Sequence, residues 1–114
     1  MSTEKLIVEG QEIALDQDAC LCDLADWSEP VARALAAREG IELTAAHWEV
    51  LYLLQEFYQQ FQLSPANRAL VKYVALNLGK EKGNSLYLNG LFNGMPAKLA
   101  ARLAGLPKPA NCFK

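Results

Sequence analysis

The chain has 114 residues, of which 52% are hydrophobic and 21% are charged, and its formal net charge at pH 7 is −2. This balance is typical of a globular protein, and the length suffices for one domain but not for two. No stretch approaches the roughly 18 consecutive apolar residues of a membrane-spanning helix, and the first residues lack the layout of a signal peptide. Three cysteines, an odd number, disfavour a secreted disulfide scaffold. We therefore expect a single cytoplasmic domain, spanning residues 1–114, that engages no membrane.

The charges are distributed unevenly along the chain. Residues 1–57 carry twelve acidic and three basic side chains, a balance of −9, whereas residues 58–114 carry one acidic and eight basic side chains, a balance of +7. Such asymmetry lets the two halves attract each other within the fold. It can equally provide a basic surface for an acidic protein, for a nucleic acid or for a thiolate of the chain itself. The sequence leaves these alternatives open.

The N-terminal region, residues 1–25, is predicted to contain a small β-hairpin followed by an acidic loop. Residues 6–9 and 12–15 are β-prone runs, and Gly10 between them supplies the positive φ that a tight turn requires. Because an isolated hairpin is only marginally stable in water, we expect it to pack on a larger body.

Residues 26–104 are predicted to form that larger body, which is helical. The first helix is preceded by residues that are typical of an N-cap, and it has Pro30 in its first turn. It is predicted to end at Gly40. The second is capped by Thr44 and runs to about Gln60, because its apolar residues recur at spacings of three and four. Its aromatic side chains are interpreted as core rather than as contacts to a cofactor.

The remaining helices also carry start and stop signals. One is predicted to begin with Ser64 as N-cap and proline in the first helical position, and to end at Gly79. A polar loop leads to a short helix over residues 85–92. The last helix begins at Pro96 and is closed by Gly105.

Residues 105–114 are expected to form an extended C-terminal arm. Pro107 and Pro109 prevent helix formation and favour a stiff, extended backbone. The arm places Cys112 near the end of the chain, in the part of a domain that is ordinarily least ordered. A structural cysteine would instead be a small buried hydrophobe.

Cys112 is therefore a candidate nucleophile or sulfur carrier, since a thiolate attacks sulfur electrophiles and an arm can enter the site of another protein. Lys108 and Arg102 lie near it in sequence and would favour the thiolate electrostatically. From the residues alone, an incidental thiol is the alternative.

Other chemistry has weaker support. Cys20 and Cys22 form a Cys-x-Cys pair, but zinc sites need four ligands, and the chain offers only three cysteines and one histidine. These two are expected to be ordinary loop thiols. His47, at the third position of the second helix, is expected to cap or pack rather than to act as a general base. The lack of ligands leads us to expect no metal. No glycine-rich phosphate loop is present, and we expect no cofactor.

Several blocks of the chain carry a more specific pattern. In order, they are Trp27-Ser28-Glu29-Pro30, His47-Trp48-Glu49-Val50, Ser64-Pro65-Ala66-Asn67-Arg68, Glu81-Lys82-Gly83-Asn84-Ser85 and Gly105-Leu106-Pro107-Lys108-Pro109-Ala110-Asn111-Cys112. Together they span nearly the whole chain, and they resemble the DsrC/TusE family of sulfur-carrier proteins. The resemblance implies a mainly α fold: a compact helical domain with a small N-terminal β-hairpin and an extended C-terminal arm.

The resemblance also implies that Cys112 carries the activity as a persulfide, which makes the chain a sulfurtransferase. The DsrC branch, which serves dissimilatory sulfite reductase, has a second arm cysteine eleven positions earlier, where this chain has Ala101. An arm with one cysteine cannot release its sulfur by closing an internal disulfide, so an external acceptor is implied, as in the TusE branch. In the family the arm cysteine is usually penultimate, whereas here Phe113 and Lys114 follow it.

The TusE branch implies particular partners. Its members take sulfur from the TusBCD complex and deliver it to the thiouridylase MnmA bound to tRNA, for 2-thiouridine synthesis at the wobble position. One alternative is a DsrC-like partner of a sulfite reductase or another redox system, which Ala101 disfavours. Another is a helix-turn-helix regulator with Arg68 and Lys72 on its surface. The overall acidity and the lack of a dense basic helix make DNA an unlikely partner.

Overall fold

The computed structural model describes residues 4–16 and 20–107. In this part of the chain, a two-stranded antiparallel sheet is followed by five α-helices. The prediction of a mainly helical fold with an N-terminal hairpin is thereby confirmed. None of the described helices is long and apolar enough to cross a membrane.

The hairpin consists of β1, Glu4–Val8, and β2, Gln11–Leu15. Val8 pairs with Gln11, so only two residues form the turn, and Glu9 and Gly10 have φ values of 52° and 81°. Positive φ at both positions defines a type I′ turn, which matches the twist of the two strands. Glu9, predicted to end the first strand, therefore belongs to the turn. The side chains that the hairpin buries are Leu6, Val8, Ile13 and Leu15.

The first two helices have the predicted boundaries within two residues. Helix α1, Glu29–Arg38, is capped by the Ser28 hydroxyl, which accepts a hydrogen bond from the backbone N–H of Val31. It ends in a Schellman motif at Gly40, whose φ is 73°. Helix α2, Ala45–Phe61, begins after Thr44 in a capping box.

The apolar face of α2 differs from the one expected. Its buried hydrophobic residues are aliphatic: Val50, Leu51, Leu53 and Leu54. The aromatic residues lie toward the rim of the core, and Tyr52 and Phe61 are 40% and 52% exposed. The interpretation of the aromatic side chains as core is therefore only partly right.

The last three helices are α3, Asn67–Leu78, α4, Ser85–Leu91, and α5, Pro96–Leu103. The predicted N-cap of α3 is wrong, because the helix starts after Ala66 and Ser64 lies outside it. Helix α4 is capped by the Asn84 side chain, which accepts from the N–H of Tyr87.

Helix α5 lies at the centre of the fold. It packs against α1, α2, α3 and α4, and all of its residues are buried except Lys98 and Arg102, which are half-buried. Burying one leucine side chain contributes about 1.5–3 kcal/mol, and the leucines of α5 at positions 99 and 103 are almost completely inaccessible to water. The segment that leads into the arm therefore starts from a helix that packs against all four of the other described α-helices.

Candidate functional site

The structure describes the beginning of the C-terminal arm, but not its cysteine. Cys112 and Lys108 lie outside the described residues. Residues 104–107 are described; they comprise the residue that caps α5 and the first three residues of the arm, and we call them the arm root. The site is therefore built from the arm root and from the side chains that hold it.

The arm root leaves α5 through a second Schellman motif. The N–H of Gly105 donates to the Arg102 carbonyl over 3.1 Å, and the N–H of Leu106 donates to the Ala101 carbonyl over 2.9 Å. Gly105 has a φ of 80°, a left-handed conformation that glycine adopts without steric cost. Leu106 is buried, so the chain turns back onto the core before it continues.

Trp27 holds the end of α5 from the side. Its indole Nε1–H donates to the Leu103 carbonyl over 2.8 Å. The indole also lies against Gly105, where a Cβ atom would stand 2.6 Å from the Trp27 Cδ1 atom. The Gln55 side chain adds a further hydrogen bond of 2.9 Å to the Ala104 carbonyl. These contacts satisfy carbonyl groups that the end of a helix leaves unpaired.

Trp27 is itself supported by an aromatic group on α2. Tyr52 meets it edge-on, with ring centroids 5.9 Å apart, and stacks on Trp48 at the same separation. The Tyr52 hydroxyl donates to the Glu29 carboxylate, and this hydrogen bond raises the pKa of Tyr52 above its ordinary value. The Arg33 guanidinium lies 5.4 Å from the centre of the Trp48 ring. Helices α1 and α2 thus fix the ring that packs on Gly105.

Ser64 holds the far end of the arm root. It is buried, and its hydroxyl donates to the Pro107 carbonyl over 2.5 Å. Predicted as a helix cap, Ser64 instead joins the segment before α3 to the last described residue of the arm. Its hydrogen bond and those of Trp27 and Gln55 fix the backbone at both ends of the arm root.

Arg102, predicted to assist Cys112, lies on the outward side of α5. Its Nη1 atom donates to the Glu39 carboxylate over 2.7 Å, and its side chain is only 13% exposed. The buried Nε atom has no hydrogen-bond partner among the described residues. Because Glu39 compensates most of its charge, Arg102 acts on a nearby thiolate more weakly than an unpaired arginine would.

His47 has a structural role, as the sequence predicted. The backbone N–H of Thr44 donates to Nδ1 over 3.0 Å, so Nδ1 is unprotonated and the proton is on Nε2. Nε2 then donates to the Leu91 carbonyl over 2.8 Å. The buried ring caps α2 and ties it to the end of α4, and both nitrogens are engaged.

Replacing His47 by alanine is expected to lower the free energy of unfolding by about 2–4 kcal/mol, because it leaves buried polar groups unpaired. His47→Gln is expected to recover about 1 kcal/mol of this, since glutamine at this position of a capping box also accepts from the cap N–H. Urea unfolding of both variants measures the difference. Equal stabilities of the two variants would contradict the capping role.

Cys20 and Cys22 differ in exposure. Cys20 is buried and Cys22 is exposed, and neither forms a disulfide. The backbone around them is tied to the hairpin, with the N–H of Cys20 donating to the Asp16 side chain over 3.0 Å. No group of three or more potential metal ligands occurs in residues 4–16 and 20–107. The structure therefore gives these thiols ordinary loop surroundings.

Comparisons with known proteins cover nearly the whole chain. The family model described as DsrC like protein matches residues 7–113. Sulfurtransferase TusE of Salmonella choleraesuis is 54% identical over 108 residues, with 95% of this chain and 99% of the relative covered. Sulfurtransferase TusE of Escherichia coli K12 is 50% identical with the same coverage.

Solved structures share the fold. The NMR structure of Allochromatium vinosum DsrC has a TM-score of 0.89 and 45% identity, covering 97% of this chain and 99% of that one. The oxidized gamma-subunit of the dissimilatory sulfite reductase of Archaeoglobus fulgidus has a TM-score of 0.82 and 38% identity, covering 93% and 96%.

Proposed function

The chain belongs to the DsrC-like protein family and is a sulfurtransferase, and from this premise we propose that it carries sulfur as a persulfide on Cys112. Its role is that of a sulfur carrier in the relay that thiolates tRNA. The observation that carries the proposal is the identity of 50–54% with TusE sulfurtransferases over 95% of the chain.

The proposed reaction is two successive sulfur transfers without net oxidation. The Cys112 thiolate attacks the terminal sulfur of a donor persulfide, a new S–S bond forms at Cys112, and the donor thiolate leaves. An acceptor thiolate then attacks the terminal sulfur on Cys112, the S–S bond breaks, and the Cys112 thiolate is regenerated. Lys108, and to a lesser degree Arg102, favour the anionic forms of Cys112 electrostatically.

The geometry of the arm root supports an arm that reaches into partners. Backbone contacts fix the chain as far as Pro107, and the five residues from there to Cys112 span at most about 18 Å. The thiol therefore works within a limited distance of Ser64. A carrier that visits two partners needs such a reach together with a constant point of origin.

Ala101 bears on the choice of acceptor. The position that carries the second cysteine in the DsrC branch is here a completely buried alanine of α5, so no thiol at that position can expel the sulfur. An external acceptor must receive it. We propose a TusBCD-like complex as donor and an MnmA-like thiouridylase bound to tRNA as acceptor, with the relay operating in the cytoplasm.

Mass spectrometry tests this function. After incubation with a persulfide donor, the intact protein is expected to gain one sulfur atom, and peptide mapping is expected to place it on Cys112. The added sulfur should disappear when the acceptor enzyme and tRNA are supplied. Sulfur on Cys20 or Cys22 instead, or none with an active donor, would overturn the proposal.

A further inference from the structure

Two ion pairs join the acidic and basic halves of the chain. Lys82 Nζ lies 2.7 Å from a carboxylate oxygen of Glu49, and Arg102 Nη1 lies 2.7 Å from one of Glu39. In each pair, the base comes from residues 58–107 and the acid from the first half. Attraction between the halves thus accounts for two of the basic side chains in the described part of the chain.

Three other basic side chains, two in the first half of α3 and one in the first turn of α5, have no carboxylate partner among the described residues. Arg68 and Lys72 are exposed and lie four positions apart on α3, and therefore on one side of the helix. Lys98 is half-buried on the outward side of α5. The N–H of its neighbour Ala97 donates to the Asn67 side chain over 3.1 Å, so the two helix starts meet. We call Arg68, Lys72 and Lys98 the basic face.

The basic face is unfavourable without an anion. Like charges four positions apart on a helix destabilise it by about 0.2–0.5 kcal/mol, and the described residues offer Arg68 and Lys72 no compensation. The described acids nearest in sequence are Glu56, on α2, and Glu81, beyond the other end of α3. An anion from another molecule would therefore bind more favourably here than beside a basic side chain that already has a carboxylate partner.

The basic face lies beside the arm root. Ser64, which holds Pro107, comes three positions before the first residue of α3 and four before Arg68. Any molecule bound on the basic face is therefore close to the origin of the arm that ends in Cys112.

We propose that the basic face binds the phosphate backbone of the tRNA that is being thiolated. The proposal rests on the proposed function, which brings the thiol and a tRNA to the same acceptor enzyme. The Arg68 guanidinium presents a planar pair of donors that matches a phosphate group. The acidic first half, with its balance of −9, repels RNA, so a polyanion binds preferentially at basic side chains that have no carboxylate beside them.

Binding of an unmodified tRNA transcript across a salt series tests the proposal. Lys72→Gln/Lys98→Gln is expected to bind at least about tenfold more weakly near 0.1 M salt, with a slope of log affinity against log salt smaller by about 1.5–2. The matched control is Lys5→Gln/Lys80→Gln, which makes the same chemical change at the hairpin and beyond the other end of α3. The control is expected to stay within about threefold of wild type.

Single-turnover sulfur transfer to the acceptor enzyme and tRNA gives the second measurement. Lys72→Gln/Lys98→Gln is expected to load sulfur on Cys112 from a small persulfide donor at the wild-type rate. Its transfer of the sulfur should then be slower than that of wild type at low carrier concentration. At high carrier concentration, the transfer rate should reach the wild-type value. Adding Arg68→Gln to this variant is expected to slow the transfer at low carrier concentration further.

Equal tRNA binding by test and control variants would overturn the proposal. So would a loss of binding to the acceptor enzyme alone with tRNA binding unchanged, because the basic face would then recognise an acidic protein surface. Failure of the proposed function gives a different result: wild-type protein without a persulfide on Cys112, whatever its affinity for tRNA.

Discussion

Replacing Cys112 by serine is expected to reduce sulfur transfer to the background rate while leaving stability unchanged. The serine hydroxyl is not a nucleophile toward a persulfide near neutral pH, so no S–S bond forms at this position. The change exchanges one atom five positions beyond Pro107. Transfer of labelled sulfur to tRNA measures the activity, and urea unfolding measures the stability.

The matched control removes the other two thiols. Cys20→Ser/Cys22→Ser is expected to transfer sulfur at the wild-type rate. Because Cys20 is buried, the double substitution is also expected to lower the free energy of unfolding somewhat. Measurable transfer by Cys112→Ser would show that the arm thiol is not the carrier. An inactive but folded Cys20→Ser/Cys22→Ser protein would show that a second thiol takes part in the relay.

Replacing Gly105 by alanine is expected to lower the free energy of unfolding by about 2–4 kcal/mol. Two costs combine at this position. Its φ of 80° is unfavourable for a residue with a side chain, and the new Cβ atom would lie 2.6 Å from Trp27 Cδ1. The indole would have to move, which weakens its hydrogen bond to the Leu103 carbonyl. Urea unfolding measures the loss, and tryptophan fluorescence reports the displacement.

Gly40→Ala separates the two costs. Gly40 ends α1 in the same kind of Schellman motif with a φ of 73°, but a Cβ atom there would meet nothing within 4 Å. We expect this control to lose about 1 kcal/mol, the conformational cost alone. Similar losses in the two variants would mean that Trp27 does not hold the arm root. A Gly105→Ala protein should also transfer sulfur more slowly, because the arm would leave α5 in another direction.

Much of the fold was predictable because its signals are local. Gly10, Gly40 and Gly105 all have the positive φ that their positions in the sequence suggested. Thr44 caps α2 as predicted. Each of these residues acts on backbone within about five positions of itself, so neighbouring sequence is sufficient to interpret it.

The arm root was not predictable because its contacts are distant in sequence. Trp27, Gln55 and Ser64 donate to carbonyl groups that lie 76, 49 and 43 positions away. Ser64 shows how local rules mislead here: serine before proline is typical of a helix start, yet its hydroxyl is used by the arm. Only the packing of α5 at the centre of the fold brings these groups together.

The proposed carrier role of Cys112 gives the fixed arm root a further consequence, an effective concentration. A sulfur atom on Cys112 would stay within about 18 Å of Pro107 and would meet a docked acceptor at some tens of millimolar, so transfer after docking would need no further diffusion. If all the contacts of the arm root were lost, including its Schellman hydrogen bonds and the burial of Leu106, the origin would retreat to α5 and the tether would lengthen to about 32 Å. The accessible volume would then grow, and the effective concentration would fall, about fivefold. If Cys112 carries the sulfur as proposed, contacts that take no part in the reaction therefore affect its rate.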